Sequence, residues 1–354
     1  MTPRAQLDHR LRSHRLSAPA ATMTDAARHM LAVQSQDFVA GRWALGVRTR
    51  GSGTKAGPTI AQADRVFARG ELVRAWTMRG TLHIIPARDL AWVLSVTADR
   101  QRRQAAGRHR DLGVDDRMLS TAFRVLRPAL SDGGGTRAEL FALLEAAGID
   151  PRGQRGNHLL FALTIAGEIC QGPLVPNGGG VAREQRFMLA DEWIRESDAP
   201  ADPLAELFVR YIDGHGPAGV ADFAWWSGLT LGTSREAAER ARARVDEIDD
   251  GVFAAQSTPR RSPKAADVIA LPAFDEYYIS YVDRTRVCAS EQLAAIGPGS
   301  NGMVRATLIE HGRVIGTWSH ADAARGSAPE LFDGDHDPDA VASALARFAH
   351  FVEP

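Results

Sequence analysis

Cysteines and long apolar runs are scarce in this chain. Only two of its 354 residues, Cys170 and Cys288, are cysteines, and neither has a Cys or His neighbour at zinc-ligand spacing. This argues against a zinc site and a disulfide framework, and both thiols are expected to be small buried groups. No apolar run approaches the roughly 20 residues that span a bilayer, and the basic N-terminus lacks the apolar core of a secretory signal. We therefore expect a cytoplasmic protein without a membrane partner.

Lysine is almost absent as well, since only Lys55 and Lys264 are present among 42 basic residues. The formal net charge is −1, but residues 1–110 hold 19 Lys or Arg against 7 Asp or Glu, a net charge of +12. Codon bias explains a preference for arginine, but it does not separate the two signs of charge along a chain. The basic N-terminal third therefore predicts contact with a polyanion such as DNA, because each neutralised phosphate releases counterions.

Residues 117–190 have the clearest pattern of secondary structure. Apolar residues recur at helical spacing in DRMLSTAFRVLRPALS, Thr136 is placed to cap RAELFALLEAAG, and QRGNHLLFALTIAGEI predicts a third helix. Two β-prone stretches around a glycine turn follow in CQGPLVPNGGGVAREQRFMLA. Three helices and then a hairpin are the order of elements in a winged helix.

The same order recurs on either side of this segment. Helices predicted at about 5–14, 25–34, 38–47 and 60–68 lead to two strands turned at Arg79-Gly80, and three more helices follow residue 202. From about residue 265 the pattern becomes β, with a closing helix predicted at about 338–351. With 44% hydrophobic and 24% charged residues, this is the composition of an ordinary globular protein of two or three domains.

The stretch LAVQSQD at 31–37 places two glutamines near the end of a predicted helix. Thr24 is expected to cap a helix running toward Val33, and Asp37 to cap the next helix. The side chains of Gln34 and Gln36 could then converge at the turn between the helices. An amide does not titrate, but its carbonyl oxygen can orient a water or face developing positive charge.

Such a site suits a reaction whose leaving group is already activated. Hydrolysis of a cationic N7-alkylated purine nucleoside is one, because the base leaves as a neutral molecule without a general acid and water attacks an oxocarbenium-like sugar. A basic segment would supply the contacts to DNA. From the residues alone, a polar helix-end turn without catalysis remains the alternative interpretation of the glutamine pair.

Four stretches resemble the bacterial winged-helix DNA glycosylases of the azinomycin-resistance type: LAVQSQD, VRAWTMRGTLHIIPARDLAWVL, LPAFDEYYISYVDRTR and HGRVIGTW. The resemblance covers nearly the whole chain. The order of elements predicts three tandem winged-helix units at 1–112, 113–198 and 199–262. The resemblance implies an α+β fold of such units followed by a C-terminal small β-barrel at 263–354. It also implies a monofunctional glycosylase with no metal and no cofactor, in which Gln34 and Gln36 carry the catalytic Gln-x-Gln motif.

The resemblance further implies the substrate class. We expect a monomer that acts on double-stranded DNA carrying bulky alkylated purine adducts, associates with the nucleoid, and releases crosslinks or gives self-resistance to a genotoxic natural product. Ser35 departs from the hydrophobic or aromatic residue usual at the middle of the motif, and this bears on the choice of adduct. Two other classes stay open: a winged-helix transcription regulator without catalysis, and a protein that sequesters the drug.

Several further residues are candidates for contact with DNA. Arg79, at the predicted hairpin turn, is expected to reach DNA, while His83 in the following strand and Arg42 after the glutamines are weaker candidates. A basic helix is expected to contact phosphates, which position DNA without reading its sequence, although a solvated linker helix is the alternative. Its arginines are Arg100, Arg102, Arg103, Arg108 and Arg110. The loops at 175–180 and 296–302 are candidates to enter a minor groove, and Asp275 is expected to be structural.

Overall fold

In a computed structural model, the chain is described at residues 2–50, 57–256, 267–300, 302–325 and 328–353. It divides into two compact units. The first consists of Met1–Ala63 with Leu204–Pro354, and the second of Asp64–Pro203. The four domains expected from the sequence stay predictions, and each unit is described below by itself.

The N-terminal part of the first unit is built from short helices around the glutamine motif. Its elements are α1 (Pro3–Ser13), α2 (Met23–Met30), β1 (Val33–Gln34), α3 (Phe38–Gly46) and the start of α4 (Ile60–Ala68). The predicted cap of α2 is wrong: Thr22, not Thr24, accepts the N–H of Asp25 at 3.0 Å. The predicted end is also wrong, because the helix stops at Met30, where Leu31 adopts a φ of 62°.

The second unit places four helices between two hairpins. Its elements are β2 (Leu72–Met78), β3 (Thr81–Pro86), α5 (Leu90–Leu112), α6 (Asp116–Ser131), α7 (Arg137–Ala146), α8 (Arg155–Ile165), β4 (Ile169–Leu174), β5 (Gln185–Leu189) and α9 (Ala190–Trp193). The predicted Thr136 cap of α7 is confirmed as a reciprocal capping box with Glu139. Within this unit the strands lie in the order β3-β2-β4-β5, with antiparallel pairing.

The turn between β2 and β3 is set by two residues. Arg79 has a φ of 55° and Gly80 a φ of 68°, and Met78 pairs with Thr81 across the turn. Positive φ at both central residues is the geometry that matches the twist of a two-residue hairpin. The predicted turn at Arg79-Gly80 is thus confirmed, and the Arg79 side chain starts from the tip.

The chain returns to the first unit with helices and a small sheet. The elements are α10 (Pro203–His215), β6 (Ala218–Gly219), α11 (Val220–Ser227), α12 (Leu231–Ala241), β7 (Val245–Asp249) and β8 (Val252–Ala255). The sheet order is β6-β8-β7, with antiparallel pairs. Short 3₁₀ turns occur at Ala87–Asp89, Arg242–Arg244 and Ser290–Gln292.

The C-terminal part of the first unit contains the predicted strands, but its helices contain more residues than its strands do. Its elements are β9 (Val268–Leu271), α13 (Glu276–Ile279), α14 (Leu293–Ile296), β10 (Ala306–Glu310), β11 (Arg313–Trp318), α15 (His320–Arg325), β12 (Glu330–Leu331) and α16 (Pro338–Val352). The strands form an antiparallel sheet in the order β12-β11-β10-β9. Over the described residues this sheet does not close, so the expected β-barrel is not confirmed, whereas the closing helix is.

The core of this part joins both ends of the chain. Leu7 and Leu11 of α1 pack with Ile269 and Leu271 of β9 and with Tyr277 of α13. The segment that follows β9 is therefore held against the N-terminal helices, which places the DEYYISY stretch beside the glutamine motif. Among the described helices, none is long and apolar enough to cross a membrane.

Candidate active site

Gln34 ends strand β1 in the connection between α2 and α3. Asp37 caps α3, because its Oδ1 accepts the N–H groups of Val39 and Ala40 at 2.9 and 3.0 Å, as the sequence predicts. The two glutamines thus lie between two helices and not within one. The helical geometry that would point residues two apart to different sides does not apply here.

The two glutamine side chains have different surroundings. Gln34 is 9% exposed, and its Oε1 is buried and accepts no hydrogen bond from the residues that the structure describes. Leaving such an acceptor unsatisfied costs about 1–3 kcal/mol, so a donor supplied by water or substrate is favoured there. Gln36 is exposed, and Ser35 between them is only 1% exposed. The residue that departs from the expected motif therefore packs inside the unit.

Glu276 holds the backbone of the motif. Its Oε1 accepts the N–H of Gln34 at 2.7 Å, and its Oε2 accepts the hydroxyl of Ser280. The side chain is fully buried, and Nε2 of His215 lies 3.7 Å from Oε2. Nδ1 of His215 donates to the carbonyl of Tyr211 at 3.1 Å. Burial lowers the pKa of His215, while the nearby Glu276 carboxylate acts to raise it.

A buried ion pair lies next to this carboxylate. Arg48 donates from Nη1 and Nη2 to the two carboxylate oxygens of Asp275 at 2.8 and 2.7 Å. The two side chains are 0% and 1% exposed. Asp275 also accepts the N–H of Tyr277 at 2.9 Å and caps α13. Asp275 therefore fixes the helical turn that presents Glu276 to the motif.

His14 connects the ion pair to His215. The hydroxyl of Tyr281 donates to the carbonyl of His215, so Nε2 of His14 donates to that hydroxyl at 2.7 Å. Burial holds the pKa of His14 well below its ordinary value, and the charges of His215, Arg48 and Arg10 act in the same direction. A neutral imidazole is thus part of what we call the supporting network, which consists of His14, Arg48, His215, Asp275, Glu276 and Tyr281.

Most of the supporting network is not predicted from the sequence. Asp275 is expected to be structural, but Glu276, which contacts the motif directly, is not among the predicted site residues. A signal was present, since two consecutive acids precede the aromatic run YYISY in an otherwise apolar stretch. His14 and His215 carry no comparable signal, because their partners lie far away in the sequence.

Acid should weaken the first unit through His29. Nδ1 of His29 accepts from Arg15 at 3.2 Å and Nε2 donates to Ser13 O at 2.6 Å, so an added proton would face a guanidinium. Burial first, and then Arg15, lower the pKa of His29 from 6.5 to about 4. The unfolded chain therefore binds the proton first, and stability falls between about pH 6.5 and pH 4, by up to about 3 kcal/mol.

Urea unfolding at pH 7.5 and pH 4.5 tests this expectation. The His29→Gln variant keeps a donor toward Ser13 and should lose less stability than the unsubstituted protein over that interval. Equal losses in the two proteins would exclude His29 as a source of the acid sensitivity.

Arg42 is placed in the interior of the first unit. Its side chain is 0% exposed and lies over the ring of Phe38, with 4.3 Å from the guanidinium carbon to the ring centroid. Its Nε donates to Phe38 O at 3.4 Å. A side chain in this setting packs behind the motif and does not offer its charge to solvent.

In the second unit, Arg79 and His83 are brought together across the hairpin. Nη2 of Arg79 lies 3.4 Å from Nε2 of His83. His83 is fully buried, and its Nδ1 lies 3.0 Å from Thr77 Oγ1 and 3.1 Å from Thr81 O. These contacts favour a structural role for His83, as a residue that orients the arginine at the hairpin tip.

The five predicted arginines of the basic helix all lie on α5, but not on one face. Arg102, Arg103, Arg108 and Arg110 are exposed, and Arg100 is partly buried. Arg102 pairs with Asp99 at 2.7 Å on the solvent side. Arg108 instead lies seven residues after Gln101, on the helix face that lines a cavity together with Arg79. The structure thus brings Arg79 and Arg108 together.

Comparisons with known proteins agree with this architecture. The model of the family described as DNA glycosylase AlkZ-like matches residues 27–351. An interstrand DNA cross-link repair glycosylase of Streptomyces sahachiroi is 23% identical over 282 residues, which span 76% of each chain. The solved structure of the Streptomyces sahachiroi DNA glycosylase AlkZ superposes with a TM-score of 0.78 at 21% identity, over 99% of this chain and 97% of that one.

The family match covers the glutamine motif, the supporting network apart from His14, and the basic helix. The structural match shows the same mixed fold of helices and antiparallel sheets. Within the described residues, no group of three His, Cys, Asp or Glu side chains is arranged to hold a metal ion. The chain belongs to the DNA glycosylase AlkZ-like family, and by that membership it is a DNA glycosylase.

Proposed function

We propose that this DNA glycosylase hydrolyses the N-glycosidic bond of bulky N7-alkylated purines in double-stranded DNA and thereby releases interstrand crosslinks. Its main support is the buried Oε1 of Gln34, which accepts no hydrogen bond from the described residues. It belongs to a strand whose backbone is anchored by the Glu276 carboxylate. A fixed acceptor of this kind can hold a water next to a sugar.

Hydrolysis of an N7-alkylated purine needs little more than a water held next to the sugar. Alkylation at N7 makes the purine cationic, so the C1′–N9 bond breaks with its electron pair moving to the base, which leaves neutral. The sugar becomes oxocarbenium-like, and a water adds to C1′ and gives its proton to solvent. The Gln34 carbonyl would orient that water and direct its dipole toward the positive sugar, and Gln36 would supply a second amide.

The proposed substrate class is taken from that of a relative. The Streptomyces sahachiroi protein that shares 23% identity is named an interstrand DNA cross-link repair glycosylase, and we propose the same class of lesion here. Self-resistance to a genotoxic natural product is the corresponding biological role. Ser35, which departs from the usual motif, is buried. We therefore expect this chain to differ from that relative mainly in the adduct on which it acts.

The remaining features of the proposal concern DNA binding. We propose that residues 1–112, 113–198 and 199–262 form three winged-helix units in a monomeric protein, since in each of them helices precede a hairpin. Arg79 and the exposed arginines of α5 would contact phosphates, which hold the duplex without selecting its sequence. A regulator would differ, because it would bind preferred half-sites as a dimer.

A crosslinked duplex tests the proposed substrate class. Incubation of the protein with a duplex joined through N7 of two guanines should convert the slow-migrating crosslinked species on a denaturing gel into separate strands, one of which contains an abasic site. Release of 7-methylguanine from a monoadduct together with an intact crosslink would restrict the activity to monoadducts. Protection of DNA without any abasic sites would instead favour drug sequestration.

Glu276→Gln should slow base release by about 10-fold, because a neutral amide accepts the Gln34 N–H more weakly than a carboxylate does. The affinity for DNA should change little, since Glu276 is buried. Single-turnover rates and binding isotherms on the same alkylated duplex separate the two effects. Glu330→Gln, at an exposed pair with Arg305, is the matched control, and an equal loss in both variants would remove Glu276 from the positioning of Gln34.

A further inference from the structure

The second unit contains a cavity of about 560 Å³ that the glutamine chemistry does not use. It lies between the tip of the β2–β3 hairpin, one face of α5 and the N-terminal half of α8, as its lining residues on these elements show. Cavities of about 300–1,000 Å³ are the size that holds a small molecule or one nucleotide. The chemistry of its walls indicates which of these it fits.

One wall of the cavity is aromatic. Trp76 and Phe161 meet edge to face with 5.9 Å between ring centroids, and His158 lies 6.2 Å from Phe161. Trp76 is only partly buried, so part of it is open to an incoming group. Burial, followed by the charge of Arg108, lowers the pKa of His158, which keeps the imidazole neutral at pH 7. This wall is therefore suited to stacking with a planar ring.

The polar groups of the cavity are not fully used within the protein. Oδ1 of Asn157 and Nδ1 of His158 are buried and have no hydrogen-bond partner among the described residues. The amide nitrogen of Asn157 does donate, to Gln154 at 2.9 Å, so the residue is held in place. Gln104, which lies on the same face of α5 as Arg108, adds an exposed amide at the rim. These groups can donate to and accept from the edge of a heterocycle.

The charged groups of the cavity are all positive. Arg79 reaches it from the hairpin tip and Arg108 from α5, and none of the described lining residues is acidic. A ligand that combines a planar ring, a polar edge and a negative group would match all three kinds of wall. A nucleotide has these three parts in one molecule.

We propose that this cavity binds one unstacked nucleotide of DNA. The base packs against Trp76 and Phe161, its edge bonds to Asn157 and His158, and the adjoining phosphate pairs with Arg79 and Arg108. The proposal goes beyond the proposed catalysis, because neither Gln34 nor Gln36 takes part. It adds contacts with a displaced base to the phosphate contact of the hairpin tip.

The probe is a single-stranded pentanucleotide with 2-aminopurine at its centre, added to the full-length protein. Stacking should quench the fluorescence of the probe, and a matched pentanucleotide with an abasic central position should bind about 10-fold more weakly. Equal affinity for the two strands would overturn the proposal, because phosphates alone would then account for binding.

Variants on α5 separate the cavity from the general charge of the helix. Arg108→Ala should weaken binding of the 2-aminopurine strand about 10-fold, whereas Arg103→Ala, an exposed arginine outside the cavity, should weaken it less than about 3-fold. Equal losses in the two variants would overturn the proposal.

Two further variants address the cavity volume and the base edge. Ala105→Phe, which fills the cavity, should abolish quenching, and Asn157→Ala should reduce it while the melting temperature stays unchanged. Quenching that survives in both variants would contradict the proposal. The Gln34→Ala, Gln36→Ala variant should quench the probe normally, so a failure of the catalytic proposal and a failure of this one are distinguishable.

Discussion

Replacing both Gln34 and Gln36 with alanine should reduce single-turnover release of 7-methylguanine from duplex DNA by about 100-fold or more. The two amide dipoles act at the sugar, where positive charge develops. Their removal should therefore slow the chemical step. The affinity for DNA should be nearly unchanged, since neither residue is charged. Each single variant should retain more activity than the double variant, with the larger loss for Gln34→Ala, whose acceptor is buried.

A glutamine outside the motif provides the control for this double variant. Gln256 is exposed and donates to Ala243 O at 3.2 Å, and Gln256→Ala should release base at the same rate as the unsubstituted protein. Full activity of the double variant at saturating protein would mean that the glutamines do not act in the reaction. A parallel fall in DNA affinity would indicate a binding role instead.

Asp275→Asn should lower the free energy of unfolding of the first unit by about 3–5 kcal/mol. The substitution leaves the Arg48 charge buried, with a neutral amide in place of the carboxylate that now accepts both of its Nη groups. The loss should also reach the motif, because Asp275 caps the helical turn that carries Glu276. Urea unfolding at pH 7.5, followed by circular dichroism, measures the stability.

An exposed pair offers the same chemical change as a control. Arg102 and Asp99 pair at 2.7 Å with side chains that are 53% and 74% exposed, so Asp99→Asn should cost less than about 1 kcal/mol. The double variant Arg48→Met, Asp275→Leu should be less destabilised than Asp275→Asn, since it buries no unpaired charge. A cost for Asp275→Asn as small as that for Asp99→Asn would contradict the structural role of the ion pair.

Local signals in the sequence predict much of this fold. Asp37 and Thr136 are followed by apolar helical spacing, and both cap helices as expected. Arg79-Gly80 forms the predicted hairpin turn, and the helix predicted at about 338–351 is observed as Pro338–Val352. In these cases the residues that determine the structure are close together in the chain, so one short stretch contains the whole pattern.

The features that the sequence does not predict depend on contacts between distant segments. The end of α2 at Met30 depends on the strand that follows, whose terminal N–H is bound by Glu276, 242 positions away. Nothing local distinguishes Leu31, a poor residue for positive φ, as the point where the helix ends. The same holds for the expected β-barrel. Alternating apolar residues predict strands, but they do not predict whether the sheet formed by those strands closes.

Only part of the candidate site can be predicted from the sequence, because most of its residues come from distant segments. The resemblance singled out Gln34 and Gln36, and their chemistry could be argued from the amide group alone. The supporting network could not, because His14, Arg48 and His215 become neighbours of Asp275 and Glu276 only in the folded unit. The cavity beside Arg108 was missed as well, since its aromatic and amide groups come from three separate elements.

We propose that this chain breaks the bond between an alkylated purine and its sugar. Mass spectrometry of the products formed from a duplex with one 7-methylguanine tests it directly. The unsubstituted protein should form free 7-methylguanine and an abasic site in equal amounts, and the Gln34→Ala, Gln36→Ala variant should form neither. Tight binding of the duplex with every 7-methylguanine still attached to its strand would contradict it.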